Sequence, residues 1–490
     1  MDNPILLEDV YRDSGVPQYT FVTPNEYVRT KVALRTKGRG VVVEGPSGIG
    51  KTTCIKRILD DTGSEAIILS ARVRAHVERI DEILRDPKDA GVVIVDDFHL
   101  LSDKQKKAFS DLLKVLADEA REDIKLVLIG INRAGECLIQ LAPDLNNRID
   151  TIRFERNPAE KIKELISKGE RVLNISIRCK EQIAERSFGS FHVAQMLCKA
   201  VCIAQEITEG QSNHVEVDVP IETVISSQMD ELARVFSHLT KTFAAGNRNR
   251  RDGRAPYLKL LRWLSETENG VLQMDEICMR YPNYKASIRQ ISDKGYITRL
   301  LKNNENLTKA FYYDRLAKLL AVEDPKFMFY LRNIDWELFA REMGFRQGQD
   351  NQKYDFAISF SGAKREFART LCEYLEENEY SVFYDENAVA DMLGQDLDSY
   401  FEPIYKSEAR FVIAMIDSTY PNKVWTAFES DKYRSRLGEN SVIPILFEDV
   451  NPLPTDPLFK KCYARIDSTN TDLLGQISHI GQLLIQKMNL

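Results

Sequence analysis

Short apolar runs alternate with longer amphipathic stretches from Gly40 to about residue 156. Runs of this kind predict buried strands, and the stretches between them predict helices. Their alternation is typical of an α/β fold built on a parallel sheet. The predicted strands cover residues 41–44, 66–69, 91–95 and 124–129.

The pattern becomes helical from Asn157 to about Ala245, which predicts a helical lid over the α/β core. Its clearest helices are 159–167 and 191–207. A basic Gly/Asn/Arg stretch at 246–254 then predicts a linker. Beyond it we predict helices at 257–265, 274–280 and 285–294, followed by strands at 295–298 and 307–313. Three helices followed by a hairpin predict a winged helix.

A second polar break, at 346–353, precedes a last series of alternating strands and helices. These strands are predicted at 354–360, 380–384, 409–416, 441–447 and 463–467. The fold class is therefore α/β and multidomain. We predict an N-terminal segment at 1–38, an α/β core at 39–156, the lid at 157–245, the linker and winged-helix region at 246–345, and a flavodoxin-like domain at 350–490.

Composition narrows the class of protein. The chain is 43% hydrophobic and 29% charged, with no run of 18 apolar residues, and Met1 is followed by an acid rather than by the basic start of a signal peptide. We therefore expect a cytoplasmic protein with no membrane partner. A net charge of −7 gives no general attraction to nucleic acid. The eight cysteines form no C-x-x-C pair, so we predict neither a disulfide nor a zinc site.

One Gly-rich segment fits the phosphate-binding pattern G-x-x-x-x-G-K-[ST]. It runs from Gly45 through Gly48 and Gly50 to Lys51 and Thr52, between a predicted strand and a predicted helix. Glycines let backbone N–H groups curl around phosphate oxygens, and the helix N-terminus adds a favourable dipole. We predict that Lys51 reaches the β- and γ-phosphates of ATP and that the Thr52 hydroxyl binds Mg²⁺.

Two acids follow the apolar run 91–95. We predict that Asp96, at the end of the strand, holds Mg²⁺ through water and that Asp97 orients the attacking water. A buried strand that ends in a surface acid is common. The position of these acids, about 45 residues after the P-loop, favours the catalytic role.

From about residue 39 to 320 the chain resembles the AAA+/STAND group of P-loop ATPases, on these motifs and on the lid that follows them. The resemblance implies two further site residues. Asn132 would be the polar sensor 1 residue near the γ-phosphate. Arg148 would be an arginine finger that acts on a neighbouring subunit's nucleotide, with a surface ion pair as the alternative.

The chain departs from AAA+ motors at two points. Asp97 stands where motors generally have Glu, and the lid segment 188–192 lacks the arginine of a sensor 2 motif. Both departures favour a slow nucleotide switch over a motor.

The residues from 354 to 490 resemble bacterial TIR domains that cleave NAD⁺. The resemblance rests on the opening strand 354–361, on 382–397, which looks like a second strand with its BB loop, and on the spacing of Trp425 and Glu429. It implies cleavage of the nicotinamide–ribose bond, with Glu429 as the catalytic carboxylate. It also implies an NAD pocket that contains Phe360, Ser361, Asp385 and Trp425.

The chemistry of that reaction suits a carboxylate, because the bond breaks through an oxocarbenium-like transition state. Two other interpretations stay open: Glu429 as an exposed helix acid, and Trp425 as ordinary core packing.

We therefore predict an ATP-gated signalling protein of the immune type, with a role in anti-phage defence. ATP would drive homo-oligomer formation through the ATPase and TIR domains, and the assembled TIR domains would cleave NAD⁺ to a linear or cyclic product. The sequence identifies neither the trigger, a phage component or a partner protein, nor the number of subunits.

Two alternatives compete with this prediction. The TIR domain is a non-enzymatic scaffold in the first, and the chain is a nucleic-acid-dependent ATPase in the second. The predicted recognition helix 285–294 has only three basic residues, Lys285, Arg289 and Lys294. We expect it to pack against the ATPase core, and we do not favour nucleic acid as a partner.

Overall fold

The computed structural model describes residues 4–88, 90–119, 121–131, 145, 147–247, 255–345, 352–388, 393–394, 396–419, 436, 441–450, 462–467, 469–470 and 472–488. The chain divides into two compact units. The first comprises Met1–Ser237, Ser265–Val271 and Val322–Asn333, and the second His238–Leu264, Leu272–Ala321 and Ile334–Leu490.

The described helices, in chain order, are α1 (Leu7–Val10), α2 (Tyr27–Arg35), α3 (Lys51–Thr62), α4 (Arg74–Arg85), α5 (Asp103–Asp118), α6 (Ala159–Leu173), α7 (Lys180–Arg186), α8 (Phe191–Ala204), α9 (Ile221–Ala245), α10 (Pro256–Glu266), α11 (Met274–Arg280), α12 (Lys285–Asp293), α13 (Tyr296–Lys302), α14 (Glu305–Thr308), α15 (Pro325–Asn333), α16 (Trp336–Glu342), α17 (Arg365–Glu377), α18 (Leu397–Pro403) and α19 (Leu473–Met488).

The described strands are β1 (Gly40–Glu44), β2 (Ile67–Ser70), β3 (Gly91–Asp96), β4 (Ile124–Gly130), β5 (Ile149–Arg153), β6 (Ile175–Ile177), β7 (Val215–Val217), β8 (Val271–Gln273), β9 (Phe311–Asp314), β10 (Leu319–Val322), β11 (Tyr354–Ser359), β12 (Val382–Phe383), β13 (Ala409–Ile416), β14 (Val442–Phe447) and β15 (Ala464–Ile466).

The described strands of the first unit include a five-stranded parallel sheet in the order β2-β3-β4-β1-β5. Successive side chains of a strand point to opposite faces. Val42 accordingly packs with Phe98 and Phe109 on one face, and Val41 packs with Ile55 on the other. Since both faces are covered, the strands read as continuous apolar runs in the sequence. Their carboxyl ends meet at one edge of the sheet.

The C-terminal part of the second unit contains another five-stranded parallel sheet among its described strands, in the order β12-β11-β13-β14-β15. This is the flavodoxin-like order, in which the chain reverses direction across the sheet between its first and third strands. Phe356 and Ile358 pack on one face, while Ala357 packs on the other. The predicted α/β multidomain fold with a parallel C-terminal sheet is confirmed.

One predicted hairpin is wrong. Residues 295–298 were expected to form a strand, but they begin α13, and 305–308 form α14. The buried side chains Tyr296, Ile297, Leu300 and Leu301 recur with helical rather than alternating spacing, and Gly295 takes the left-handed conformation that separates α12 from α13 (φ 74°). The strands lie later, as β9 and β10, and join β8 in the order β8-β10-β9.

Three further observations concern the described cysteines, metal-ligand residues and helices. Cys54, Cys198, Cys202 and Cys372 are buried free thiols. Within the described ranges, no group of three His, Cys, Asp or Glu residues is placed to hold a metal ion. No described helix has both the length and the apolar composition required to span a bilayer.

Candidate functional site

The P-loop joins β1 to α3, and its backbone takes positive φ values at glycines of the motif. Gly45 has φ 148°, and a Cβ there would lie 2.4 Å from the Phe154 carbonyl oxygen. Gly50, at the N-cap of α3, has φ 99°. L side chains rarely adopt either conformation, so glycine at both positions lets the loop close.

The Lys51 ammonium lies inside this loop. Its Nζ donates to the carbonyl oxygens of Gly45 and Pro46, at 2.7 and 2.6 Å. Burial lowers the pKa of Lys51 to about 8, and the carboxylates of Asp96 and Asp97 oppose that shift. The side chain therefore stays charged at neutral pH, within the loop that is predicted to hold phosphate.

The two predicted magnesium residues are in contact. Thr52 Oγ1 donates to Asp96 Oδ2 at 2.8 Å, which joins the first turn of α3 to the end of β3. A hydroxyl and a carboxylate are oxygen donors of the kind that Mg²⁺ prefers, so this pair fits the ion. The predicted roles of Thr52 and Asp96 in binding the metal remain predictions.

Asp97 is held by a second set of contacts. Its carboxylate accepts from Ser70 Oγ at 3.0 Å and pairs with Arg72 Nε at 3.0 Å. Its backbone is left-handed (φ 58°), and its N–H donates to Asp96 Oδ1 at 2.9 Å. The residue after the strand is thus turned toward the end of β2, which lies beside β3 in the sheet.

Glu323 enters the same site from a distant part of the chain. Its carboxylate pairs with Arg72 and contacts His99 Nε2 at 2.7 Å. Burial alone would raise the pKa of Glu323, but its contacts with His99 and Arg72 hold it below its ordinary value. Burial would lower the pKa of Arg72, whereas Glu323 and Asp97 together raise it.

These residues line one cavity of about 300 Å³. P-loop residues, both predicted catalytic acids, and Arg72 with Glu323 all face it. Sequence reasoning missed Arg72, His99 and Glu323. The local sequence gives no signal for them, because Glu323 lies more than 200 residues along the chain from its two partners.

The lid contacts the P-loop directly. Gly48 O accepts from His192 N and from Ser190 Oγ, each at 3.3 Å. Asn157 Nδ2 donates to Ile49 O at 3.3 Å and to a lid carbonyl, that of Gly189, at 2.9 Å. The lid segment 188–192, which lacks a sensor 2 arginine, therefore reaches the loop through backbone and small polar groups.

The N-terminal segment completes a second cavity beside the P-loop. This cavity, of about 150 Å³, is lined by 12–24, by the P-loop and by α6 and α8, including Phe21, Thr53, Phe191 and His192. The Arg12 N–H donates to Gln195 Oε1 at 2.8 Å, and Tyr11 OH donates to Ile166 O at 3.1 Å. Apolar walls beside a phosphate loop suit the base of a nucleotide.

Two further predicted ATPase residues have different outcomes. Asn132 lies outside the described residues. Arg148 forms an ion pair with Asp118, at 2.7 Å between Nη2 and Oδ1, and its side chain is 28% exposed. The alternative interpretation, an ion pair, is thus present, and an arginine-finger role remains a prediction.

The C-terminal sheet brings its predicted site residues to one edge. Ser361, two residues beyond β11, is buried and donates from its hydroxyl to Asp417, directly beyond β13. Asp417 Oδ1 also accepts from Thr419 N at 3.1 Å and from Thr419 Oγ1 at 2.9 Å. This pair marks the switch point of the sheet, where open α/β sheets bind their ligands.

A second cluster lies beyond β12. The rings of Phe360 and Tyr384 stack with centroids 5.5 Å apart, and the Arg365 guanidinium lies 5.3 Å from the Phe360 centroid. Arg365 Nη1 also approaches Asp385 at 3.4 Å and Glu386 at 3.1 Å. Burial raises the pKa of Asp385, and Arg365 opposes that shift.

The structure thus brings Phe360, Ser361 and Asp385 to the carboxyl edge of this sheet. Trp425 and Glu429 lie outside the described residues. Their predicted roles, and the pocket that all five residues would form, remain predictions.

Comparison with protein families identifies two domains of the chain. Residues 41–156 match the family of ATPases associated with various cellular activities (AAA), and residues 356–478 match the TIR domain family. The chain therefore carries an AAA ATPase domain followed by a C-terminal TIR domain.

Individual relatives match one module each. The 3′ cyclic ADP-D-ribose synthase AaTIR of Aquimarina amphilecti is 31% identical over 100 residues, 20% of this chain and 31% of that protein. The Holliday junction branch migration complex subunit RuvB of Kosmotoga olearia is 26% identical over 181 residues, 33% of this chain and 51% of that protein. The chain thus spans 31% of the length of the first relative and 51% of the length of the second.

A comparison with solved structures matches the RuvB Holliday junction branch migration motor of Thermotoga maritima. It is 16% identical and covers 62% of this chain and 96% of its own, with a TM-score of 0.34. Cdc6p of Pyrobaculum aerophilum is 14% identical, and its match covers 69% of this chain and 99% of the Cdc6p chain, with a TM-score of 0.36.

Proposed function

We propose that the chain is an ATP-controlled switch whose TIR domain cleaves the nicotinamide–ribose bond of NAD⁺. The observation that carries the ATP half is the contact between Thr52 and Asp96, which joins the P-loop helix to the acid at the end of β3. The NAD⁺ half is supported by the TIR family match and by the similarity to a cyclic ADP-ribose synthase.

ATP and Mg²⁺ fit the first site by charge. Lys51 and the backbone N–H groups of the P-loop offer donors to phosphate, while Thr52 and Asp96 offer oxygens to the metal. Arg72 pairs with Asp97, the acid that would orient the attacking water. An acid tied to an arginine is less available to accept a proton, which agrees with slow hydrolysis.

The TIR reaction breaks the C–N bond between ribose C1′ and nicotinamide. Nicotinamide leaves with the bonding electrons as a neutral molecule, and C1′ develops positive charge. Glu429 would stabilise that charge, and water or a hydroxyl of the same substrate would then bond to C1′ and release its proton to solvent. Water gives linear ADP-ribose, and an internal hydroxyl gives a cyclic product.

The two halves would be joined by assembly. ATP binding would favour a homo-oligomer, and TIR domains brought together would complete one another's NAD⁺ sites. The output, loss of NAD⁺ or release of an ADP-ribose product, suits a defence system that acts on the infected cell. A phage component or a partner protein would supply the trigger.

The test of the NAD⁺ half is nicotinamide release by the full chain and by Glu429→Gln. Glutamine keeps the size of the side chain and removes its charge. We expect release to fall by about 100-fold or more, because one group that stabilises transition-state charge is lost. Equal release by both proteins rejects Glu429 as the catalytic carboxylate, and no release by a forced TIR assembly favours the scaffold.

A further inference from the structure

The second unit contains a cavity of about 660 Å³ between α12 and the edge of the TIR sheet. Helix α12 is the predicted recognition helix, which was expected to pack against the ATPase core. The structure places it against α17 of the TIR domain, where Gln290 donates to Glu376 O, and packing against the ATPase core stays a prediction. Lys285 and Arg289 of this helix, and Lys294 directly after it, all line the cavity.

The walls of the cavity are fixed by hydrogen bonds. Gln290 Nε2 donates to Tyr380 O at 2.7 Å and to Glu376 O at 3.0 Å, and Gln290 is only 8% exposed. Tyr296 OH donates to the same Glu376 carbonyl at 2.8 Å. The Glu376 carbonyl lies in the last turn of α17 and Tyr380 lies three residues beyond that helix, so α12 is held on the TIR domain.

The charges of the cavity favour an anion. Lys294 pairs with Glu376, Lys353 pairs with Glu408 at 2.5 Å, and Asp293 pairs with Lys318 at 2.8 Å. These charges largely cancel in pairs. The positive charges of Lys285 and Arg289 are left after this pairing, and the two residues lie one helical turn apart on one face of α12.

The opposite wall is aromatic. Tyr354, Phe383 and Tyr400 line it, with ring centroids of Tyr354 and Phe383 5.3 Å apart and those of Phe383 and Tyr400 6.4 Å apart. Tyr354 and Tyr400 are partly exposed. β12, which carries Phe383, is the edge strand of the described sheet.

From this juxtaposition we propose a second nucleotide site, one that binds a nucleoside diphosphate between α12 and the TIR domain. Lys285 and Arg289 would pair with the phosphates, since guanidinium and ammonium groups are the usual partners of phosphate oxygens. The base would stack on Tyr354 or Tyr400, and a cavity of this volume accepts a ligand of that size. None of the predicted ATP or NAD⁺ site residues lines it.

Binding of ADP to the full-length Lys51→Ala variant, measured by isothermal titration calorimetry, tests this site with the P-loop disabled. We expect binding that weakens at least tenfold when Lys285→Ala and Arg289→Ala are added. The matched control adds Lys302→Ala and Lys309→Ala, which remove two exposed cations outside the cavity and leave the affinity unchanged. Undetectable ADP binding, or equal binding with and without Lys285 and Arg289, overturns the proposal.

Two further probes test the aromatic wall and the class of ligand. Pyrophosphate lacks a base, so it should bind more weakly than ADP in the Lys51→Ala protein, and Tyr400→Leu should remove that difference. A 12-nucleotide single-stranded DNA is the competing ligand. If it binds through Lys285 and Arg289 tenfold more tightly than ADP, the cavity is a nucleic-acid surface and the proposal is wrong.

Discussion

The hydroxyl of Ser361 donates a hydrogen bond to the Asp417 carboxylate across the point where the strand order of the TIR sheet reverses. Both side chains are almost fully buried. Ser361→Ala would leave the carboxylate with fewer donors, and a buried acceptor that loses its partner costs about 1–3 kcal/mol. We expect the melting temperature of the TIR transition to fall by a few degrees in calorimetry.

The control for that change is Ser407→Ala. Ser407 is an exposed serine of the same domain whose hydroxyl donates to Pro403 O at 3.2 Å. Its loss should leave the transition within about 1 °C of the parent, since water replaces an exposed hydrogen bond. Equal shifts for the two variants would show that the Ser361–Asp417 bond adds no stability.

Arg72 and Glu323 should act on ATP turnover as a pair. Glu323→Gln removes the buried charge that holds Arg72, and Arg72→Ala removes the group that reaches Asp97. We expect each change to alter kcat about tenfold while KM for ATP changes less than threefold. Because Glu323 reaches Asp97 through Arg72, the double variant should resemble Arg72→Ala alone.

Asp324→Asn is the matched control for Glu323→Gln. It removes the neighbouring charge while keeping an oxygen at the position that accepts from Lys326 N at 2.7 Å. Its turnover should equal that of the parent. Additive effects of Arg72→Ala and Glu323→Gln would contradict the linked action of the two residues.

The lowered pKa of Glu323 predicts acid sensitivity. A carboxyl whose pKa is lower when folded adds stability above its unfolded pKa, about 4.3, and that stability is lost as pH falls through the folded value. Between pH 6 and 3 the parent should therefore lose more unfolding free energy than Glu323→Gln. Parallel loss in the two proteins, followed by far-ultraviolet circular dichroism, would contradict this assignment.

The pKa of Lys51 predicts how ATP affinity depends on pH. Its value of about 8 means that the ammonium loses its proton as pH rises through 8, and the phosphates then lose a cationic partner. ATP affinity should fall from pH 7 to 9, by at most about tenfold for each pH unit above the pKa. Lys51→Arg, which stays charged, should show a flat profile even if its affinity is lower. A flat parent profile would contradict the assignment.

Gly48→Ala should disable the nucleotide site through the lid. A Cβ at Gly48 would lie 2.7 Å from Ser190 Oγ and 2.9 Å from Pro325 Cβ. Gly63 offers a control with similarly positive φ (61° against 77°) and no atom within 4 Å of its added Cβ. We expect Gly48→Ala to weaken ATP binding at least tenfold more than Gly63→Ala, in equilibrium dialysis. Equal effects would show that backbone strain alone matters there.

Local patterns predicted much of this architecture, and long-range contacts explain the rest. Strand 409–416 and helix 274–280 match the structure in full because their apolar spacing is regular. The strand predicted at 295–298 failed because four residues are too few to separate alternating from helical spacing. β5 was missed, since Asp150 and Thr151 interrupt its apolar run.

The candidate site also contains residues that local motifs predicted and residues that only tertiary contacts reveal. Lys51, Thr52 and Asp96 belong to short motifs whose spacing carries the chemistry, and the structure brings them together. Glu323 and the 12–24 segment reach the nucleotide cavities only through tertiary packing. No local pattern marks such residues, because the contacts that define them join distant parts of the chain.

The most direct test of the central claim is nicotinamide release from NAD⁺ by the full chain, with and without Mg-ATP. The account predicts release that rises with ATP in the parent, stays at the basal level in Lys51→Ala, and is lost in Glu429→Ala under both conditions. Release that is independent of ATP and equal in the parent and Lys51→Ala would contradict an ATP-controlled NADase.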